Sequence, residues 1–333
     1  MSSTPFNDRS PDKTASNGAY TSVENLLSLR NLANDIHLQT RASSSAIMDG
    51  DSRTRFRGRG MEFSEVRPYQ PGDDIRTIDW RVTARTQKPY TKLFQEEKER
   101  PVFLLVDQRS PMFFGSSNVF KSVYATEIAC VIAWAALKNN DRIGALVFGD
   151  TEQKDLRARR GKHAVLNLIN QLHNYNSKLN SPIPLQTNNT MQEMLMDVRR
   201  VARPGSAVYL ISDFHDYTES CDESLAVLAR HTDVSVISIH DKLEAQLPAN
   251  QQLTIANNDS KLSIGANSKN MQKAFQENFT QLTNNLRAAC QRSGITFASM
   301  DVAVPIADRI RDTFESTLSL KRRQVRSNTE AVS

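Results

Sequence analysis

The feature that most constrains this chain is an unbroken apolar run, Val-Phe-Leu-Leu-Val, at residues 102–106, which ends on Asp107. An apolar run without polar alternation is typical of a strand that is buried on both faces of a parallel sheet. Open α/β folds bind their ligands beyond the carboxyl ends of such strands. The sequence therefore predicts a central strand with Asp107 at its functional end.

Downstream of this run, strand-like and helical patterns alternate. The predicted strands are Arg142–Phe148, Gln153–Ala158 (at a sheet edge), Ser206–Ser212, Val234–Ile239 and Thr296–Ser299, with a hairpin at Leu253–Ile255 and Lys261–Ile264. The predicted helices are Val119–Lys138, Lys162–His173, Thr190–Ala202, Ser220–Arg230, Ser268–Arg292 and Pro305–Phe314. This alternation predicts an α/β fold with a doubly wound, mostly parallel sheet of the Rossmann type.

The sequence divides into four predicted segments. Residues 1–54 are predicted to be a polar tail that carries one amphipathic helix at 22–38, where apolar residues recur at helical spacing. Residues 55–100 mix β-forming residues with turn signals, which indicates a small β module with strands Met61–Tyr69 and Tyr90–Glu97. Residues 101–315 are predicted to form the main domain, and residues 316–333 a basic tail.

Composition narrows the class of protein. The chain is 39% hydrophobic and 24% charged, as ordinary globular proteins are, and its three cysteines are scattered. No apolar stretch approaches the length of a membrane span and the N-terminus is polar, so we expect a cytoplasmic protein. The net charge is +5, with basic clusters at 53–59, 157–162 and 321–326. We read these clusters as solvated faces, but they leave a nucleic-acid-binding function open.

Strand order predicts the candidate site. In a doubly wound sheet of order 3-2-1-4-5-6 the first and fourth strands are neighbours, which brings Asp107 and Asp213 to one crevice. Thr190, at the start of a predicted helix, could face the same crevice. Carboxylate and hydroxyl oxygens suit Mg²⁺. The three residues, Asp107, Thr190 and Asp213, are therefore candidate metal ligands.

This crevice resembles the metal-ion-dependent adhesion site of von Willebrand factor A domains, whose first strand ends in Asp-x-Ser-x-Ser. Asp107, Thr190 and Asp213 stand at the acidic and threonine positions, but Arg109 and Pro111 replace the two serines. Two interpretations stay open. The site holds Mg²⁺, or it is vestigial and Arg109 pairs with Asp107 or Asp213 in place of the metal. We favour the second, with Asp107, Arg109, Ser110, Thr190 and Asp213 contacting a partner.

A second motif lies at residues 67–85, RPYQPGDDIRTIDWRVTAR. It resembles the signature of the domain-of-unknown-function 58 family, which is Arg-x-Tyr-x-Pro-Gly-Asp, then Arg-x-Ile-Asp-Trp and Ala-Arg. The resemblance implies a von Willebrand factor A-like domain behind a small β module, and a MoxR-type AAA+ ATPase as partner. The motif is read either as an ion-pair network that docks the module, with Trp80 as apolar anchor, or as a partner surface. Its candidate contact residues are Arg67, Tyr69, Asp73, Arg76, Asp79, Trp80 and Arg85.

These observations favour a protein without enzymatic activity. The sequence has no P-loop, no Gly-x-Ser-x-Gly and no His-Glu-x-x-His motif. We expect an interaction module that acts as an adaptor or substrate-handling partner of a MoxR-type ATPase. We expect it to bind other von Willebrand factor A proteins as well. We expect no cofactor, no membrane association and no nucleic-acid partner. Mg²⁺ would be bound only if the oxygen ligands of the candidate site coordinate it. The alternatives are a basic nucleic-acid-binding protein and a metal-dependent hydrolase at the paired aspartates.

Overall fold

The computed structural model describes residues 18–36, 38, 61–96, 101–179, 189–247, 252–257, 260–265 and 269–310. Residues 61–96 belong to one compact unit, and the described residues on either side of them belong to a second, larger unit. Most of the predicted N-terminal tail (1–54) and all of the predicted C-terminal tail (316–333) lie outside the described residues, and so does the basic cluster at 53–59.

Helices and strands follow one another along the chain. They are α1 (Val23–Ser28), β1 (Met61–Pro68), α2 (Trp80–Thr86), β2 (Tyr90–Glu96), β3 (Val102–Asp107), α3 (Lys121–Lys138), β4 (Ile143–Phe148), β5 (Gln153–Arg159), α4 (Lys162–Lys178), α5 (Met191–Val201), β6 (Ala207–Ser212), α6 (Glu219–His231), β7 (Asp233–His240), α7 (Lys242–Ala245), β8 (Gln252–Asn257), β9 (Ser260–Gly265), α8 (Lys269–Arg292) and β10 (Thr296–Asp301). Short 3₁₀ helices lie at Leu32–Asp35, Ile75–Thr77 and Ser110–Met112.

The six-stranded sheet of the large unit has the order β10-β7-β6-β3-β4-β5. Every neighbouring pair is parallel except β4 and β5, which are antiparallel at the edge. The predicted order is therefore confirmed, because β3 is the first core strand and pairs with β6, the fourth. All six residues of β3, β4 and β6 are buried, as a strand covered on both faces requires.

Helices cover both faces of this sheet. One apolar cluster joins α1, α3 and α4 to the sheet, and the other joins α5, α6 and α8 to its opposite face. Nearly all residues of α3 are inaccessible. The predicted hairpin is the separate antiparallel pair β8–β9. Helix α4 runs to Lys178 rather than ending near residue 173.

One expectation for the N-terminal segment is wrong. The single helix expected over residues 22–38 is the short helix α1 followed by the 3₁₀ helix Leu32–Asp35. The Trp134 indole N–H donates to the Leu26 carbonyl at 3.2 Å, while the Arg30 backbone N–H turns to Leu27 at 3.3 Å. Because the Leu26 carbonyl is taken by the indole, the chain tightens and α1 ends.

The N-terminal segment is part of the large unit's core. Leu26 is fully buried against α3, and the Thr21 backbone N–H donates to the Asn176 side chain at 2.8 Å. Beside them the Asn25 side-chain amide donates to Glu127 at 3.0 Å. Burial raises the pKa of Glu127 to about 7, against the opposing effect of the Asn25 hydrogen bond. The neutral, protonated form of the Glu127 carboxyl is therefore favoured in the folded protein.

This burial predicts a pH-dependent stability. Below about pH 4.5 Glu127 is neutral whether the chain is folded or unfolded, and its stabilising effect is lost as pH rises through about 7. Glu127→Gln stays neutral and keeps an oxygen for Asn25. We expect the variant's advantage in unfolding free energy to grow from near zero at acid pH to about 3 kcal/mol at pH 8, measured by urea denaturation. Glu223→Gln, on the exposed face of α6, controls for the lost charge; a pH-independent difference for Glu127→Gln would contradict the account.

Candidate functional site

A buried guanidinium organises the carboxyl edge of the sheet. Arg109, two residues beyond the end of β3, is 2% exposed. Its Nε and Nη2 atoms donate to the two carboxylate oxygens of Asp107 at 3.1 and 2.8 Å. Its Nη1 and Nη2 atoms donate to the two oxygens of Asp216 at 2.7 and 2.9 Å. The fork geometry of arginine is used twice, once on each carboxylate.

The same guanidinium also reaches the segment before α5. Arg109 Nη1 donates to the backbone carbonyl of Asn189 at 3.1 Å, and the Met191 backbone N–H donates to Asp216 at 2.9 Å. The Ser212 hydroxyl donates to Asp107 at 2.6 Å from the end of β6. One cluster therefore ties together the ends of β3 and β6 and the start of α5.

Electrostatics keep this cluster charged. Burial opposes the charge of Arg109, but the neighbouring carboxylates Asp107 and Asp216 outweigh it and raise the pKa of the guanidinium. Burial likewise opposes ionisation of Asp216, and the bonds from Arg109 still hold the pKa of Asp216 below its usual value. Arg109 thus stays a fixed cation beside the ionised Asp216.

A second cation neutralises the neighbouring acids. The ammonium group of Lys121, at the first position of α3, is buried and lies 2.7 Å from Asp213 Oδ2 and 2.5 Å from Glu244 Oε1. The other Asp213 oxygen lies 2.8 Å from His215 Nδ1. Burial disfavours the Asp213 charge, but the bonds from His215 and Lys121 hold the pKa of this carboxyl below its usual value. Asp107 and Asp213 lie on neighbouring strands, and each has its own cation.

The loops around these clusters are held by two further carboxylates. Ser110 donates both its backbone N–H and its hydroxyl to Asp150, which follows β4. Ser116 donates in the same way to Asp241, which follows β7 and caps α7. Neither serine is directed at Asp107, so the loops are fixed by acids rather than by a shared central ligand.

Thr190 stands close to the cluster but does not join it. Its hydroxyl accepts the Glu193 backbone N–H in a capping box at the start of α5, and the residue is exposed. Its two neighbours in sequence, Asn189 and Met191, make the contacts with Arg109 and Asp216 through their backbone. The predicted loop therefore reaches the crevice, while the predicted side chain faces outward.

Sequence reasoning missed several members of the site. Asp216, Lys121, Glu244, Asp150 and Asp241 were not proposed. Asp150 and Asp241 follow core strands, so the rule that singled out Asp107 applied to them as well. Lys121 opens a helix that is apolar almost all round, and a buried cation on such a helix requires an acidic partner.

The carboxylate oxygens of Asp107 and Asp213 are candidate ligands for a bound Mg²⁺ ion. Such an ion takes six oxygen ligands and retains water among them. Both oxygens of Asp107 and both of Asp213 already accept hydrogen bonds from protein groups. Among the residues that the structure describes, no cluster of three or more His, Cys, Asp or Glu side chains could hold a metal. The ligands as arranged do not fit the ion.

A shallow cleft adjoins the Lys121 cluster. It measures about 230 Å³ and is lined by Asp213, His215, His240 and Glu244 on one side and by Phe275 and Phe279 of α8 on the other. His215 is 40% exposed in its side chain, and Asp213 holds the His215 pKa above its usual value although burial opposes this. This rim is the accessible part of the site.

The small unit carries the second predicted set. Arg67 pairs with Asp73 at 2.8 Å, and Asp79 caps α2 by accepting the backbone N–H groups of Arg81 and Val82. The Tyr69 hydroxyl donates to the Asp73 carbonyl at 3.2 Å.

The rest of the signature is exposed. Trp80 exposes 67% and Ile75 65% of their surfaces. In the described part of the chain no carboxylate pairs with Arg76 or Arg85. The ion-pair network is therefore smaller than the sequence suggested, and the polar contacts of this unit concentrate on the half-buried Asp73 and Asp79.

The fold and this edge define an α/β protein with a doubly wound, mostly parallel sheet and a buried ionic cluster at its carboxyl edge. The chain matches the family model described as "Protein of unknown function DUF58" over residues 65–285 of 333. Since the match covers more than half of the chain, the protein belongs to this family, as its signature predicted.

Two relatives show how far the sequence similarity extends. The protein is 28% identical over 216 residues to the uncharacterised protein Rv1480 of Mycobacterium tuberculosis, which covers 64% of this chain. The chain spans 65% of the length of that relative. It is 33% identical over 86 residues to YeaD of Bacillus subtilis, which covers 26% of this chain and 20% of YeaD.

Solved structures are similar only at low identity. BatB from Bacteroides thetaiotaomicron has 13% identity and a TM-score of 0.41, covering 66% of this chain and 99% of that one. An aerotolerance-related membrane protein from Bacteroides fragilis has 11% identity and a TM-score of 0.37, covering 65% and 99%. A von Willebrand factor type A protein from Catenulispora acidiphila has 13% identity and a TM-score of 0.29, covering 45% and 35%.

The expected cytoplasmic location is contradicted. The similar structures include the Bacteroides fragilis membrane protein and an uncharacterised membrane spanning protein from Vibrio fischeri. No helix in the described ranges is long and apolar enough to cross a bilayer. The sequence argument was wrong because the lack of an apolar stretch does not locate a protein.

The Arg109 cluster predicts a large and specific loss of stability. Arg109→Met leaves the Asp107 carboxylate buried without its cation, so we expect the free energy of unfolding to fall by about 3–5 kcal/mol in urea denaturation. The matched control is Arg200→Met, which breaks an exposed pair with Asp197 and should cost less than about 1 kcal/mol. Asp107→Asn combined with Arg109→Met should recover part of the loss. Equal losses for the two single variants would contradict a buried, charge-neutralising arginine.

Proposed function

We propose that this protein is a non-enzymatic protein–protein interaction module whose contact surface is the carboxyl edge of its sheet. The observation that carries the proposal is the Arg109 guanidinium, which lies between Asp107 and Asp216. The resemblance to a metal-ion-dependent adhesion site supports the proposal that Arg109 takes the place of its metal ion. The site is in this sense a degenerate metal-ion-dependent adhesion site. Its acids are neutralised by the chain itself, so a partner is not recruited through a shared cation.

The Arg109 cluster shapes what a partner can contact. Asp107 and Arg109 are inaccessible, and their role is to hold the loops of the edge in place. The exposed rim consists of His215, Thr190, part of Glu244 and the phenylalanine Phe275. A mixed rim of aromatic, imidazole and carboxylate groups around a fixed floor is suited to protein recognition.

The second contact surface in the proposal is the exposed signature of the small unit. Trp80 and Arg76 are exposed, and both residue types are favoured anchors of protein interfaces. A largely exposed tryptophan contributes little to the stability of the unit that carries it. It is therefore available to a partner.

The partner proposed is a MoxR-type AAA+ ATPase, for which this chain would act as adaptor or substrate-handling subunit. This part rests on membership of the family, an argument by association. A metal-dependent hydrolase at the paired aspartates is not carried forward, because the oxygens it would use are bonded to Arg109, Lys121 and His215.

Binding of the full chain to a MoxR-type ATPase from the same genome tests the proposal. We expect saturable binding by biolayer interferometry, unchanged by adding or chelating Mg²⁺ at a fixed nucleotide state of the ATPase. His215→Gln at the rim and Trp80→Ala in the small unit should each weaken it by about tenfold or more.

Matched controls separate the two surfaces from general damage. His231→Gln, an exposed histidine at the end of α6, and Leu27→Ala, an exposed residue of α1, should bind as the wild type does. No binding by the wild type would reject the proposed surfaces. Equal weakening by His215→Gln or Trp80→Ala and by the control variants would reject them too.

A further inference from the structure

A basic cleft lies on the outer strand of the sheet, apart from the site described above. It measures about 660 Å³ and opens between β5 and the first turns of α4. The amino end of β4, at Ile143, forms part of its floor, whereas Asp107 lies at the carboxyl edge. The cleft is therefore a separate site from the Arg109 cluster.

A β-bulge shapes the floor of the cleft. In the β4–β5 pair Ile143 is opposite Arg159 and Ala145 is opposite Leu156, so two residues of β5 face Gly144 alone. A side chain at Gly144 would meet the Ala158 backbone nitrogen and the Leu156 carbonyl at 3.0 Å each. The glycine allows the two backbones to approach, and the bulge bends the edge strand there.

Positive charge converges on this cleft. Lys154, Arg157 and Arg159 of β5 line it and are exposed, and in the described ranges none of the three has a carboxylate partner. Arg160 and His163 line it as well, while Asp155 is the one acidic residue in the lining. Unpaired cations with overlapping fields raise the local concentration of an anion.

The start of α4 adds to this field. Gly161 precedes the helix with φ of 90°, a conformation that favours glycine, and no side chain caps the first turn. The helix is 17 residues long, so its amino terminus carries the partial positive charge of the helix dipole. Lys162 and His163 extend from that turn, and anions bind at helix starts of this kind.

From this arrangement we infer that the cleft binds a compact, multiply phosphorylated anion, such as the phosphate chain of a nucleotide or inorganic polyphosphate. Its volume lies within the range of small-molecule sites, about 300–1,000 Å³. Arg157 and Arg159 offer planar forks that match phosphate oxygens. Apart from the imidazole of His163, no residue in the described lining has a ring on which bases could stack, which disfavours a single-stranded nucleic acid.

Isothermal titration of the full chain with tripolyphosphate, in buffer without divalent metal, tests the inference. We expect saturable one-to-one binding that weakens as salt is added, and weaker binding of orthophosphate. ATP should bind about as tightly as tripolyphosphate if the phosphate chain is the recognised part. Arg157→Gln combined with Arg159→Gln should weaken tripolyphosphate binding by about tenfold or more.

The control carries the same change in net charge elsewhere on the large unit. Arg230→Gln combined with Lys242→Gln removes two exposed cations that do not line the cleft, and it should bind as the wild type does. Circular dichroism should show both double variants folded. No saturable binding, or equal weakening in both, would overturn the inference. Binding of a DNA duplex or an acidic peptide without binding of tripolyphosphate would overturn it too.

Discussion

The carboxyl edge of this protein depends on one buried guanidinium that satisfies two carboxylates at once. Arg109 lies at the end of the central strand, and its bonds to Asp107 and Asp216 join segments more than a hundred residues apart in sequence. Removing a charged group from water costs several kcal/mol unless the partners are well placed. The double fork supplies that placement, so the loops after β3 and β6 and the start of α5 have one compatible arrangement.

Elsewhere along the carboxyl edge, acidic side chains are also paired with donor groups of the chain itself. Lys121 neutralises Asp213 and Glu244, and Asp150 and Asp241 receive the N–H and hydroxyl groups of two serines. Each acid that follows a core strand thus serves the chain itself. This makes the edge a rigid platform whose exposed rim differs chemically from its floor, which is the basis for proposing recognition of a protein rather than catalysis.

The architecture was predictable because it follows from local patterns. The apolar run before Asp107 and the alternation of strand and helix sufficed for the sheet order, and adjacency of β3 and β6 followed from that order. Arg109 was expected to pair with Asp107 or Asp213 in place of a metal ion. In the structure it pairs with Asp107 and with Asp216.

The remaining site residues depend on tertiary contacts that no local pattern encodes. Lys121 and Asp213 are 92 residues apart and meet only because α3 packs beneath the end of β6. Thr190 was placed correctly along the chain, but its hydroxyl caps α5, a local bond that competes with a role in the crevice. The break after α1 likewise depends on the distant indole of Trp134.

The account rests on Arg109 and Lys121, rather than a metal ion, pairing with the acids at the carboxyl edge of the sheet. Isothermal titration of the full chain with Mg²⁺ and with Mn²⁺ measures this directly, with a von Willebrand factor A domain that has an intact Asp-x-Ser-x-Ser motif as positive control. The account predicts no saturable uptake by the wild-type chain. Saturable uptake that disappears in Asp107→Ala would contradict it.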